Sequence, residues 1–144
     1  MTKELGSFYL SDDNEYILSR CHEVNALLNK AYWVDNRDDE TMRRAMQNSL
    51  NFAVFEHGTQ RLAGYARVVT DYATMYYLCD VYVDEAFRAM GLGKALVEHI
   101  VSFDERLLKL NGTLKTRDAQ SLYARFGFKQ CEVTCMLQAR PTRQ

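Results

Sequence analysis

"VYVDEAFRAMGLGKALVEHIV", residues 81–101, joins a strand, a turn and a helix in one run. Val81, Tyr82 and Val83 end an apolar stretch, a short link follows, and beyond it Leu92, Leu96, Ile100, Phe103 and Leu107 keep one side of a helix apolar while Lys94, Glu98 and Glu105 face out. Glycine is poor helix material, so Gly91 and Gly93 at this helix start need a reason. A strand that runs through a glycine turn into a helix aims several unpaired N–H groups at one place, backed by the positive end of the helix dipole. An anion fits there, because no Cβ blocks bulky oxygens at the glycines and Arg88 and Lys94 add positive charge. The stretch Arg88, Ala89, Met90, Gly91, Leu92, Gly93 and Lys94 is therefore a candidate diphosphate cradle. The alternative is that the two glycines only shape a bend. A Walker A loop is excluded by Arg88 and Ala95, where it needs glycine and Ser or Thr, and a dinucleotide fingerprint is weakened by Leu96 in place of its third glycine.

Working outward, "GSFYLSD" reads as a first strand, and Ile17, Cys21, Val24, Leu28 and Ala31 mark one face of a helix from Asn14 to Tyr32. Asp38 or Asp39 can cap a second helix through about Leu50. "NFAVFEH", a turn near Gly58, and "RLAGYARVV" form an antiparallel hairpin, and "TMYYLCDVYV" is a third strand expected to be buried on both faces. "NGTLKT" returns as a strand, Asp118 is a candidate cap for the helix "AQSLYARF", Gly127 stops that helix, and "FKQCEVTCMLQA" closes the chain as one or two strands. The expected fold class is α/β (α+β), a mixed, mostly antiparallel central sheet flanked by helices.

The chain has 144 residues, 47% hydrophobic, and its only proline is Pro141, which predicts one domain, 1–144, with no internal linker. A formal net charge of -1 argues against nucleic acid or a membrane surface as partner and favours a small or cationic one. No apolar run is long enough to span a bilayer and the first residues lack a signal peptide's core, so the expected compartment is the cytoplasm. Cys21, Cys79, Cys131 and Cys135 are dispersed in apolar surroundings and read as buried free thiols. With three histidines, His22, His57 and His99, no metal is expected.

The pattern Arg-x-x-Gly-x-Gly after a long apolar strand resembles the GNAT superfamily of acetyl-CoA-dependent N-acetyltransferases, in particular its small single-domain bacterial type. The resemblance continues in "TRDAQSLYARFGFKQ", where Ala119, Tyr123, Gly127 and Phe128 keep the spacing of that family's later helix, and it covers about residues 51–131. It implies that Val81, Tyr82 and Val83 bind the pantetheine arm of acetyl-CoA, that the 88–94 loop holds the pyrophosphate, and that a bulged third strand offers a free amide to the thioester oxygen. It implies also that Tyr123 stands near the sulfur and protonates the leaving thiolate. Two departures stand out: Ala89 and Met90 replace a glycine and a cation of the usual loop, and Asp118 replaces an asparagine that can donate as well as accept.

Asp80, a carboxylate within "YYLCDVYV", is a candidate base for the amine, an anchor for a substrate ammonium, or a structural group bonded to a tyrosine. Tyr32, Trp33, Asp71 and Tyr72 are candidate substrate contacts, since aromatics with carboxylates suit a small cationic amine. Cys79 has no histidine in a recognisable partner position, so direct transfer to a small-molecule or peptide amine is expected rather than a two-step route. The rival reading is a non-catalytic acyl-CoA sensor or assembly module. Strand edges near "CEVTCMLQ" make a homodimer conceivable.

Overall fold

The computed structural model describes residues 2–140. Six strands, β1 (Thr2–Leu5), β2 (Phe8–Ser11), β3 (Leu50–Glu56), β4 (Leu62–Thr70), β5 (Met75–Val83) and β6 (Asn111–Thr113), form one sheet in chain order. Every neighbouring pair is antiparallel except β5 and β6, which run parallel over Met75–Tyr77 and Asn111–Thr113. The mostly antiparallel, helix-flanked sheet is the expected architecture. Among the described residues no helix is long and apolar enough to cross a membrane.

Helices cover both faces. On one side α1 (Asn14–Ser19), α2 (Cys21–Leu28) and α3 (Asp39–Gln47) bring Ile17, Val24, Leu28 and Met42 against Ala53, Phe55 and Tyr65. On the other, α4 (Leu92–Glu98) sets Leu96 and Val97 against Phe52, Val54 and Ala66, and Tyr123 of α5 (Gln120–Ala124) joins that cluster. Alternate residues of β3 thus serve opposite cores, and each fully buried aliphatic or aromatic side chain contributes roughly 1.5–3 kcal/mol. Asp13 and Asp38 cap α1 and α3 through Tyr16 N and Thr41 N.

Several expectations need correction. The predicted 14–32 helix is two helices broken at Arg20, and a strand unforeseen in the sequence, β1, precedes the first predicted one through a turn at Gly6. The 92–107 stripe is helical only to Phe103: its last turn widens to π geometry over His99–Phe103 before Asp104 turns extended, and Leu107 is buried from the following loop. Residues 129–140 form no strand and are exposed, Cys131 and Cys135 included, so the strand-edge basis for a dimer is absent. That segment lacks a partner strand to bury its alternate apolar residues, and Val133, Met136 and Leu137 stay in solvent.

Strand β5 is not buried on both faces: Tyr77, Cys79 and Val81 are half-buried. Tyr77 and Cys79 line an open cavity, and past them the strand carries a bulge. Tyr65 pairs with Tyr82 and Arg67 with Cys79, so Ala66 alone faces Asp80 and Val81, and Asp80 takes a φ of 54°. One extra residue inverts the alternation beyond it. Tyr76 and Leu78 accordingly pack in the α4 core, whereas Tyr82 packs in the core under α2.

Candidate active site

Strands β5 and β6 part after Tyr77 and Thr113. Gly112 permits their close approach, since a Cβ there would stand 2.3 Å from the Tyr76 ring. Beyond that point the β5 edge has no β6 partner, and a cavity of about 530 Å³ opens. Tyr77, Leu78, Cys79, Asp80 and Val81 line it from β5; Lys115, Thr116, Arg117, Asp118, Ala119 and Tyr123 from the chain after β6; Tyr32, Trp33, Arg37 and Arg67 complete it. The bulge therefore sits in the cavity wall. An unpaired strand edge ending in a bulge can hydrogen-bond an extended amide-bearing arm and aim a free N–H at a carbonyl oxygen.

The 88–94 loop lies past Val83, at the far end of the same strand. Asp84 caps the 3-10 turn Glu85–Phe87 through Ala86 N and pairs with Arg61 at 3.4 Å and Lys30 at 3.8 Å, fixing the path into the loop. Those bonds, the Ala86 amide first, hold the Asp84 carboxyl below its usual range. Arg88 folds back, its Nε donating to the Val83 carbonyl at 3.2 Å and its guanidinium 5.2 Å from the Tyr82 ring centre. Ala89 and Gly91 both take left-handed φ values, 66° and 77°, and Gly91 is the first residue before α4. Gly93 needs no special φ; its missing Cβ would meet only Val83 Cγ2 at 3.6 Å. Met90 and Lys94 are exposed beside them.

Tyr123 is buried in the cavity wall with its ring edge toward Phe128, and burial, with Asp118 second, pushes its phenol above the usual range. Asp118 does not cap α5: Ala119 holds that position and its N–H donates to Thr116 Oγ1 at 3.0 Å. Gly127 ends α5 at a φ of 89°, as expected.

Asp80 is surrounded differently from what its sequence neighbours implied. Its Oδ2 accepts from Arg37 Nη1 at 3.0 Å and Arg67 Nε at 2.9 Å, so it is neither unpaired nor bound to a tyrosine. Both pairs fall on Oδ2, where two positive charges oppose protonation of the carboxylate. Tyr32 and Trp33 do reach the cavity, 58% and 46% exposed, with Arg117 lying 5.0 Å over Tyr32. Asp71 and Tyr72 do not line it. The Asp71 carboxylate is spent on its own turn, accepting from Ala73 N and Thr74 N, and those bonds, with the Thr74 hydroxyl first, hold it far below the usual range. Cys79 faces the cavity, but burial pushes its thiol to about 11. Arg37, Arg67, Lys115, Thr116 and Arg117 were not foreseen; Arg67 alone carried a signal, a cation inside the apolar "YARVV".

Residues 48–130 match the family model described as the acetyltransferase (GNAT) domain. Histone acetyltransferase TAP1 of Glycine max is 32% identical over 90 residues, 56% of this chain and 38% of that protein, so the chain spans well under half of that relative's length. A structure from Xanthomonas campestris pv. campestris, assigned to the GNAT family of acetyltransferases, is similar with a TM-score of 0.81 and 32% identity over 96% of both chains. A Clostridium acetobutylicum acetyltransferase structure with acetyl-CoA has a TM-score of 0.66 over 96% of each chain at 14% identity, a likeness of fold.

Proposed function

The chain belongs to the GNAT family of acetyltransferases, and on that premise we propose that it moves an acetyl group from acetyl-CoA to the primary amine of a small molecule or peptide by direct transfer, with residues 1–144 working as one domain. The observation that carries this reading is the parting of β5 from β6 beside the Asp80–Val81 bulge.

The open edge of Val81, Tyr82 and Val83 pairs with the amides of the pantetheine arm, and the 88–94 backbone, with Arg88 and Lys94, takes the diphosphate. The acyl carbonyl then lies at the bulge, where a backbone N–H freed from the ladder stabilises the oxyanion. The neutral amine attacks from the side of Trp33 and Arg37. Tyr123, a phenol protonated at neutral pH and shifted further up by burial, gives its proton to the departing thiolate. The proton lost by the amine passes to water, since Asp80 is held between two guanidiniums. The Cys79 thiol, at about 11, supplies almost no thiolate, which supports one-step transfer.

Incubation with acetyl-CoA and a panel of amines, following thiol release, tests the reading. Amine-dependent release is expected; tight acetyl-CoA binding with no release for any amine would leave a sensor or assembly module instead.

A further inference from the structure

The acceptor side of the cavity is built around a shared carboxylate. Asp80 Oδ2 receives Arg37 from the α2–α3 loop and Arg67 from β4, so one negative charge faces two positive ones. Each guanidinium has five donor hydrogens and spends a fraction of them here. The placement of Arg37 is specified from behind: its carbonyl accepts from Asn25 Nδ2 at 2.8 Å and Asn29 Nδ2 at 3.0 Å, and its N–H donates to Asn29 Oδ1 at 3.0 Å. Arg67 is held by Ser49, whose Oγ accepts from Nη1 at 3.0 Å. Both residues line the cavity, and their side chains are 22% and 15% exposed.

The remaining cavity charges do not cancel this surplus. Asp118 lines the cavity from the chain after β6, between Arg117 and Ala119, with Lys115 on the same segment, so four cations face two carboxylates there, and Asp71 lies outside the cavity. A dicationic amine would thus meet a surplus of cations, with Asp118 the one cavity carboxylate outside the Arg37–Arg67 pair among the described residues. An amine that also carries a carboxylate would pair with the Arg37 fork, and the same cations would favour the neutral form of its amine, which is the nucleophile. Tyr32 and Trp33 offer an aromatic wall for whatever side chain it bears.

From this geometry we infer that the acceptor is an amine bearing a nearby carboxylate, of the amino-acid class, with Arg37 as the residue that selects it. The inference rests on the acetyl-transfer reading for the word acceptor, but its binding site can be read without turnover. Trp33 is the chain's only tryptophan and lines the cavity, so intrinsic fluorescence reports occupancy.

With coenzyme A present, Trp33 emission is titrated with three matched pairs: L-leucine and isoamylamine, L-phenylalanine and phenethylamine, L-lysine and cadaverine. The carboxylate-bearing member of each pair is expected to saturate at concentrations at least about tenfold lower, the size of one charge-assisted hydrogen bond. Arg37→Gln should abolish that preference with acetyl-CoA affinity unchanged, and Arg37→Lys, which keeps the charge but not the fork, should retain part of it. Equal or better binding of the decarboxylated amines, binding of neither member, or an Arg37→Gln protein with the preference intact would overturn the inference. A carboxylate preference without thiol release from acetyl-CoA would instead defeat the acetyl-transfer reading while leaving this site standing.

Discussion

Arg67 Nε lies 2.9 Å from Asp80 Oδ2 across the bulge that joins β4 to β5. The strand irregularity and the buried ion pair are one feature: the left-handed φ of Asp80 turns its carboxylate to where Arg67 and Arg37 meet. Asp80→Ala leaves two mostly buried guanidiniums facing each other, at a cost of about 3 kcal/mol in urea unfolding. Asp80→Asn, which keeps the shape, should cost less and should leave the acid limb of the pH–rate profile in place. If Asp80→Asn removed that limb in a folded protein, Asp80 would be the base after all.

Tyr123→Phe should lower kcat by about 100-fold or more, the usual yield of a positioned acid, while acetyl-CoA affinity by calorimetry stays within about twofold. Because burial raises the phenol, the wild-type rate should hold through pH 9 and fall only as pH passes above about 10. Loss of affinity in place of rate would make Tyr123 a packing residue.

Hydrophobic period and turn chemistry were enough to read the β3–β4 hairpin, the mostly antiparallel class of the sheet and the strand–loop–helix at 75–98, because each core face there repeats at the spacing of its own element. The ends were not readable by the same means. Residues 129–140 alternate apolar and polar residues as a strand would, yet pairing requires a neighbour that no local pattern reveals. The candidate site divides similarly. Tyr123 and the 88–94 loop sit in local spacings, whereas the Arg37, Arg67 and Asp80 cluster joins a loop to two strands over sequence separations of 13 and 43 residues. Ala89 shows the limit from another side, since it adopts a φ of 66° that its composition disfavours and the loop keeps its shape without that glycine.

The two loop glycines should separate on substitution. Gly91→Ala meets no atom within 4 Å but is strained by its φ of 77°, and should lose about 1 kcal/mol of stability. Gly93→Ala makes an ordinary 3.6 Å contact within α4 and should gain up to about 1 kcal/mol from helix propensity. If the loop backbone approaches the diphosphate, Gly93→Ala should still weaken acetyl-CoA binding. A protein both more stable and unchanged in affinity would make Gly93 a helix residue only.

The four cysteines should divide by exposure. Iodoacetamide at pH 7 is expected to modify Cys131 and Cys135 within minutes, as they are exposed, and to spare Cys21 and Cys79, whose thiols burial raises. With Cys79 at about 11, its thiolate fraction at pH 7 is on the order of 10⁻⁴. Peptide mass spectrometry reads the pattern. Cys79→Ala should keep more than about half of wild-type turnover, and near-complete loss in a folded variant would revive a covalent route.

Stability at low pH should be governed in part by Asp104. Its carboxylate accepts from Arg106 N, Nε and Nη2 at 3.0, 2.9 and 2.6 Å, where the chain leaves the π turn. Burial alone would raise the carboxyl, but the Arg106 bonds outweigh it and the net direction is down. A carboxyl whose folded pKa lies below its unfolded value of about 3.9 contributes stability that is complete well above that value and is lost as pH falls through the folded one. Asp12, His99 and Asp104 bring ligand-type atoms within 4.8 Å of one another, His99 and Asp104 buried and Asp12 half-buried, so the loss of charge at Asp104 is felt by its two neighbours. Asp104→Asn should therefore be less stable than wild type by about 2 kcal/mol at pH 7, and the gap should begin to narrow as pH falls below the unfolded value of about 3.9. Urea midpoints at stepped pH measure it: a gap that stayed constant down to pH 3 would assign Asp104 a packing role with no part in the acid response.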